Sequence, residues 1–186
     1  MASRRSAKLI LEFVRLAGPW RQRQKVAAAL DVLLPALMAR QATLPPGRYG
    51  ITVALTDDTH QRELNHQFRG IARSTNVLSF PLYRKHALKK LPEQRAPHHL
   101  GDISLAYQYI AAEAARDGKN LTNHIIHLVI HGVLHILGHD HQTARQAALM
   151  EQLERDVLAI MAIADPYQMP ARGTARRRPR RNPRAA

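Results

Sequence analysis

Three histidines, His131, His135 and His141, fall within HGVLHILGHDH at the spacing H-x-x-x-H-x-x-G-x-x-H. On a helix, residues four apart share a face, so His131 and His135 can turn ring nitrogens toward one ion about 2.0 to 2.1 Å away. Gly138 can take the left-handed backbone that ends a helix, folding GHDH back so that His141 supplies a third ligand from the side. Three protein ligands leave a tetrahedral position open, as catalytic rather than structural zinc sites do. Zinc peptidases of this spacing carry a glutamate directly after the first histidine as the base that activates water; here that residue is Gly132. A peptide bond has a poor leaving group and no nucleophile of its own, so it needs that base. An RNA phosphodiester instead offers phosphate oxygens that a cation can neutralise and a 2′-hydroxyl beside the phosphorus.

The same helix carries His124 and His127, and residues 127, 131 and 135 also share a face. His127 and His135 would lie about 12 Å apart along the axis, too far to join His131 around one ion. His127 is therefore expected in the core or behind a ligand, and His139 and Asp140 are left open between solvent and a supporting role. A phosphodiester site also calls for a cation to steady charge developing on phosphate, and arginine grips two oxygens with its planar fork. Arg69, in NHQFRGIARSTNVLSFP, is the candidate, although local pattern alone also fits a solvated loop arginine.

These residues need elements to hold them. KLILEFV alternates like a strand, and Val26, Leu30, Leu33, Leu34 and Leu37 follow at helical spacing, with Pro35 expected to kink or shorten that helix. GITVALTDD is a second strand, and Asp57, Asp58 or Thr59 could cap a helix running to about Phe68. NVLSFP is a third strand, Tyr83 to His99 a long basic loop, and LGDISLA a fourth strand. Helices are expected over about 107–117, 122–137 and 143–163, ending at glycine in the first two cases. Four strands with helices between and after them make an α+β domain whose motif helix is central and buried.

At 186 residues and 45% apolar content, one domain with a real core is expected, over about residues 1–168. The chain has no cysteine, which excludes disulfides and thiolate metal sites. No apolar run is long enough to span a bilayer; LILEFVRLAG is interrupted by Glu12 and Arg15. The opening MASRRSAK has the arginine-rich composition of a transit peptide, but Leu9, Leu11 and Phe13 alternate like a strand, so a cytoplasmic protein is expected. The net charge of +14 favours a polyanionic partner, and seven arginines in ARGTARRRPRRNPRAA, within the basic and disordered tail expected over 169–186, carry half of the excess.

With LNHQFRGIARSTNVLSFP at 64–81, HLGDISLA at 99–106, HGVLHILGHDH and DPY at 165–167, the chain resembles the YbeY-type endoribonucleases, metal-dependent RNases of bacterial ribosomal RNA maturation. The resemblance covers about residues 8–168 and implies a small mixed sheet flanked by helices. It implies that His131, His135 and His141 hold one zinc ion and that Arg69 is the functional arginine beside it. It also implies action on single-stranded RNA, in 16S rRNA 3′-end maturation and ribosome quality control, with the ribosome or ribosomal proteins as partners. Many relatives have acidic residues after the last histidine, where this chain has Gln142, Thr143, Ala144 and Arg145, so no metal or water partner is expected from there. Two rival readings are a non-catalytic ribosome-assembly factor pinned by zinc, which a fourth protein ligand would favour, and a metal peptidase, which Gly132 disfavours.

Overall fold

The computed structural model describes residues 6–40, 44–92, 94 and 96–168. Four strands, β1 (Ala7–Arg15), β2 (Gly47–Thr56), β3 (Val77–Pro81) and β4 (His98–Ala106), form one sheet in the order β1-β2-β4-β3. β1 and β4 each run parallel to β2, while β3 lies antiparallel to β4 at one edge. The sheet is thus mixed, and the parallel pairs demand crossovers. Helix α1 (Arg23–Arg40) supplies the first; α2 (Asp58–Arg69), β3 and the one-turn α3 (Lys85–Leu88) fill the second. After β4 the chain is helical: α4 (Tyr107–Arg116), α5 (Leu121–Ile136), α6 (Ala144–Leu158) and a short 3-10 turn, Ala159–Met161.

Period-two alternation in β2 buries Tyr49, Ile51, Val53 and Leu55, and β4 buries Leu100, Ile103 and Leu105 beside them. Helix α5 packs against this sheet and against α1, α4 and α6, with ten of its residues buried. An element covered on so many sides cannot tilt without opening the core, so side chains projecting from its free edge are held rigidly. Its start is fixed by Asn120, whose side chain accepts the Asn123 backbone N–H, and α6 begins with a reciprocal capping box between Thr143 and Gln146. Asp57 caps α2 by accepting the His60 N–H.

Two expectations are corrected. Pro35 does not end α1, which runs on to Arg40. The ring and Asp31, the residue whose carbonyl it leaves without a donor, are both exposed, so water can serve that carbonyl. The basic segment from Tyr83 is not a continuous loop: it forms α3, whose Leu88 is fully buried, and His98 and His99 already belong to β4. One apolar anchor in a run of cations is too short a signal for periodicity to register. The tail expected over 169–186 lies outside the described residues.

Candidate metal centre and cleft

Gly132 explains the missing glutamate in terms of packing. A Cβ at this position would stand 2.9 Å from Ile103 Cδ1 and 3.1 Å from Ser79 Oγ, so α5 approaches β4 and β3 too closely for a side chain. Two residues beyond the end of the helix, Gly138 has φ +84°, and a Cβ there would meet Lys85 Cβ at 2.7 Å. This left-handed residue reverses the chain, and His141 returns to the histidines of α5.

The three rings converge. The His131 and His135 ring centroids are 4.6 Å apart, and that of His141 lies 5.7 Å from His131 and 5.0 Å from His135. Each contributes one nitrogen to a set lying within 4.8 Å of one another. Hydrogen bonds fix which nitrogen carries a proton. His131 Nδ1 faces Glu154 Oε1 at 2.9 Å, and His135 Nδ1 faces the His139 carbonyl at 3.1 Å. A carboxylate and a carbonyl only accept, so in the neutral rings both Nδ1 atoms donate and both Nε2 atoms are bare lone pairs. Those two Nε2 atoms point at each other across 3.1 Å. Two nitrogens bound to one tetrahedral zinc would be about 3.3 Å apart. Facing lone pairs at this distance repel, and a cation between them removes the repulsion; the residues therefore fit a metal ion.

Burial and the neighbouring charges of His131 and His141 depress the His135 ring to about 4, keeping it neutral and ligand-competent well below neutral pH. The three histidines line a cleft of about 960 Å³ shared with Arg69, Ser79, Arg84 and Lys85. Arg69, at the end of α2, is exposed and makes no hydrogen bond or ion pair with any described residue. The cleft thus joins a cation-seeking cluster to three cationic side chains.

Behind the cluster lies a residue that sequence inspection missed. Glu154, from α6, is fully buried and accepts from His131 Nδ1, from His127 Nε2 at 2.8 Å and from the Tyr167 hydroxyl. Burial alone would raise its carboxyl, and this is the largest single effect. The hydrogen bonds from His127 and His131, the His127 charge and the Tyr167 hydroxyl together outweigh it and hold the group at about 2. His127, His131 and Glu154 form a second set of close donor atoms, drawing on the opposite nitrogen of His131. The available signal was a glutamate on the apolar face of α6, between Met150 and Val157. Arg84 and Lys85 were seen only as part of a basic stretch, and the reversal at Gly138 is what brings that stretch to the histidines.

The family model described as endoribonuclease YbeY matches residues 21–162. The chain belongs to the endoribonuclease YbeY family. It is 39% identical to the endoribonuclease YbeY of Chelativorans sp. strain BNC1 over 162 residues, covering 87% of this chain and 95% of that one. It is 42% identical to the protein of the same name from Rhodopseudomonas palustris strain ATCC BAA-98 / CGA009, over 87% of this chain and 83% of the relative. Among solved structures, the fold is similar to the solution structure of TM1509 from Thermotoga maritima, with a TM-score of 0.53 and 19% identity, over 86% of this chain and 99% of that one. The YbeY match spans α1 to the 3-10 turn and so includes every residue lining the cleft. It stops before Tyr167.

Proposed function

We propose that this chain is a zinc-dependent endoribonuclease specific for single-stranded RNA, acting in 16S rRNA 3′-end maturation and ribosome quality control. In this reading residues 1–168 form one catalytic domain, followed by a basic tail over 169–186 that tethers the enzyme to ribosomal RNA. The ribosome or its proteins are the partners, and the cytoplasm is the compartment. No helix among the described residues is long and apolar enough to cross a membrane. The carrying observation is the pair of bare Nε2 lone pairs on His131 and His135, 3.1 Å apart at the wall of a cleft rich in cations.

His131, His135 and His141 are the metal ligands, and Arg69 is the catalytic cation. Zinc, when bound, supplies a Lewis acid's positive charge beside the scissile phosphate. Arg69 is exposed and unpaired among the described residues, so its guanidinium is available to take two phosphate oxygens and to stabilise charge as it builds. Arg84 and Lys85 hold the strand against the cleft through its backbone, which is independent of base sequence. A single strand suits this cleft better than a duplex, because a splayed backbone can bend toward the histidines.

The rival readings lose ground on specific residues. A peptidase base is missing at Gly132, and Glu154, which stands against the cluster, is fully buried behind His131 with its oxygens engaged by three donors. A structural zinc would be closed by four protein ligands, whereas this donor set contains three histidines among the described residues. The test is cleavage of a labelled RNA ending in a 16S 3′ precursor sequence, single-stranded or annealed to its complement. Arg69→Ala should retain zinc and lose about 100-fold in rate. Equal cutting by wild type and Arg69→Ala, or equal cutting of the annealed RNA, would refute the reading.

A further inference from the structure

Glu154 stands on the far side of His131 from the cleft, and its surroundings are more ordered than a simple core contact requires. Its two oxygens collect three donors from two different regions: His127 and His131 on α5, and Tyr167 beyond the end of α6. Tyr167 is itself fixed. Its backbone N–H donates to Asp165 Oδ1 at 2.9 Å, Lys119 Nζ donates to the Pro166 carbonyl at 3.2 Å, and its ring packs edge-on against His127 at 5.7 Å. A carboxylate buried this deeply is a costly way to join two helices, since apolar side chains of the same volume would do it at least as well. What a carboxylate does that they cannot is fix a proton on an imidazole nitrogen.

We infer that Glu154 is a positioning residue for the metal centre: it holds His131 in the Nδ1–H tautomer, with Nε2 presented to the cleft, and Tyr167 holds Glu154. The inference rests on the metal-site reading above. Without an acceptor behind it, the His131 ring can carry its proton on Nε2, where a metal must bind, and can rotate away from His135. With Glu154 in place the ring is oriented and made more basic, as a carboxylate behind a histidine ligand does. Glu154 arrives 23 residues after His131 through the packing of α6 on α5. It supplies the acidic partner that Gln142 to Arg145 do not provide after the last histidine. The DPY segment at 165–167 thereby becomes part of the metal centre although none of its residues lines the cleft.

The test uses the full chain as wild type, Glu154→Gln, Tyr167→Phe and Val157→Ala, the last a packing control in the core of the same helix. Affinity for zinc alone is measured by competition with a chromogenic chelator. Nitrogen-15 spectra of the metal-free protein report the His131 tautomer, and thermal melts report stability. Glu154→Gln should weaken zinc binding by about 10- to 100-fold and Tyr167→Phe by less, while Val157→Ala lowers the melting temperature without moving zinc affinity. His131 should be Nδ1–H in the metal-free wild type. Zinc affinity in Glu154→Gln within twofold of wild type would overturn the inference, as would an Nε2–H tautomer in the wild type, a reading that stands even if Glu154→Gln fails to fold. A wild type that binds no zinc but shows the Nδ1–H tautomer would overturn the metal-site reading and, with it, the role given to Glu154 there.

Discussion

Helix α5 carries four histidines, and they divide into two pairs by what their Nε2 atoms face. His124 and His127 turn Nε2 toward carboxylates, Glu113 at 3.2 Å and Glu154 at 2.8 Å. His131 and His135 turn theirs toward each other. The first arrangement consumes the nitrogen as a donor and ties α5 to α4 and α6; the second leaves two lone pairs that only a proton or a metal can reconcile. Residue type is the same in both pairs, and each pair lies about one helical turn apart, three residues in the first and four in the second. The lesson is that a histidine-rich helix face fits a metal ion where the acceptor sits behind the ring, on Nδ1, and forms a structural seam where it sits in front.

The sharpest way to break this comparison is to remove one member of each pair. His135→Ala should weaken zinc binding by more than about 100-fold, beyond the range seen when only a supporting partner is lost. His124→Ala should leave zinc affinity unchanged and cost about 1–3 kcal/mol of stability by leaving Glu113 with Asn76 alone of its two side-chain donors, read from urea denaturation with zinc present. If both variants lose zinc alike, the division is wrong.

A second substitution would restore the peptidase motif. Gly132→Glu drives a side chain into Ile103 and Ser79 and buries a carboxylate, so we expect a loss of at least about 3 kcal/mol on the same denaturation curves, and no peptidase activity. Near-native stability would show that the approach of α5 to β4 is not what excludes the glutamate.

The metal-free protein should weaken as pH falls from 7. His135 titrates at about 4 when folded instead of 6.5, so between those values the unfolded chain binds a proton that the folded chain refuses. Glu154 has the same sign over a lower window, from 4.5 down to about 2. Urea midpoints should therefore drop from pH 7 to pH 5 and again toward pH 3. A midpoint that rises on acidification would contradict the burial of His135 and the set of donors that holds Glu154 ionised. The smallest effect belongs to the tail: deleting residues 171–186 should lower RNA affinity and flatten its dependence on salt, with zinc content unchanged, and an unaltered salt slope would remove the tether from the proposal.

Legibility in the sequence followed distance along the chain. HGVLHILGHDH was legible as a candidate site because two histidines lie a helical turn apart and a glycine turns the chain back toward a third, all within eleven residues, and the structure brings the three together. The strands β1 to β4 and the cap at Asp57 were readable from alternation and turn chemistry for the same local reason. Glu154 was not, because its meeting with His131 depends on how α6 lies on α5, and no local pattern encodes a helix packing partner. Its one trace, a glutamate on an apolar face, is equally compatible with a chain rim. Pro35 misled because the cost of a proline depends on whether the freed carbonyl meets water, which is a property of the fold. Leu88 went unseen because a single buried side chain sets no period.

The most direct measurement is single-turnover cleavage of a labelled single-stranded RNA by zinc-loaded wild type, His124→Ala and His135→Ala, with metal content determined in each preparation. Wild type and His124→Ala should cut at similar rates with one zinc per chain, and His135→Ala should hold no zinc and cut nothing. Cleavage by metal-free His135→Ala at the wild-type rate would contradict the claim that the paired lone pairs of His131 and His135 are the heart of the active site.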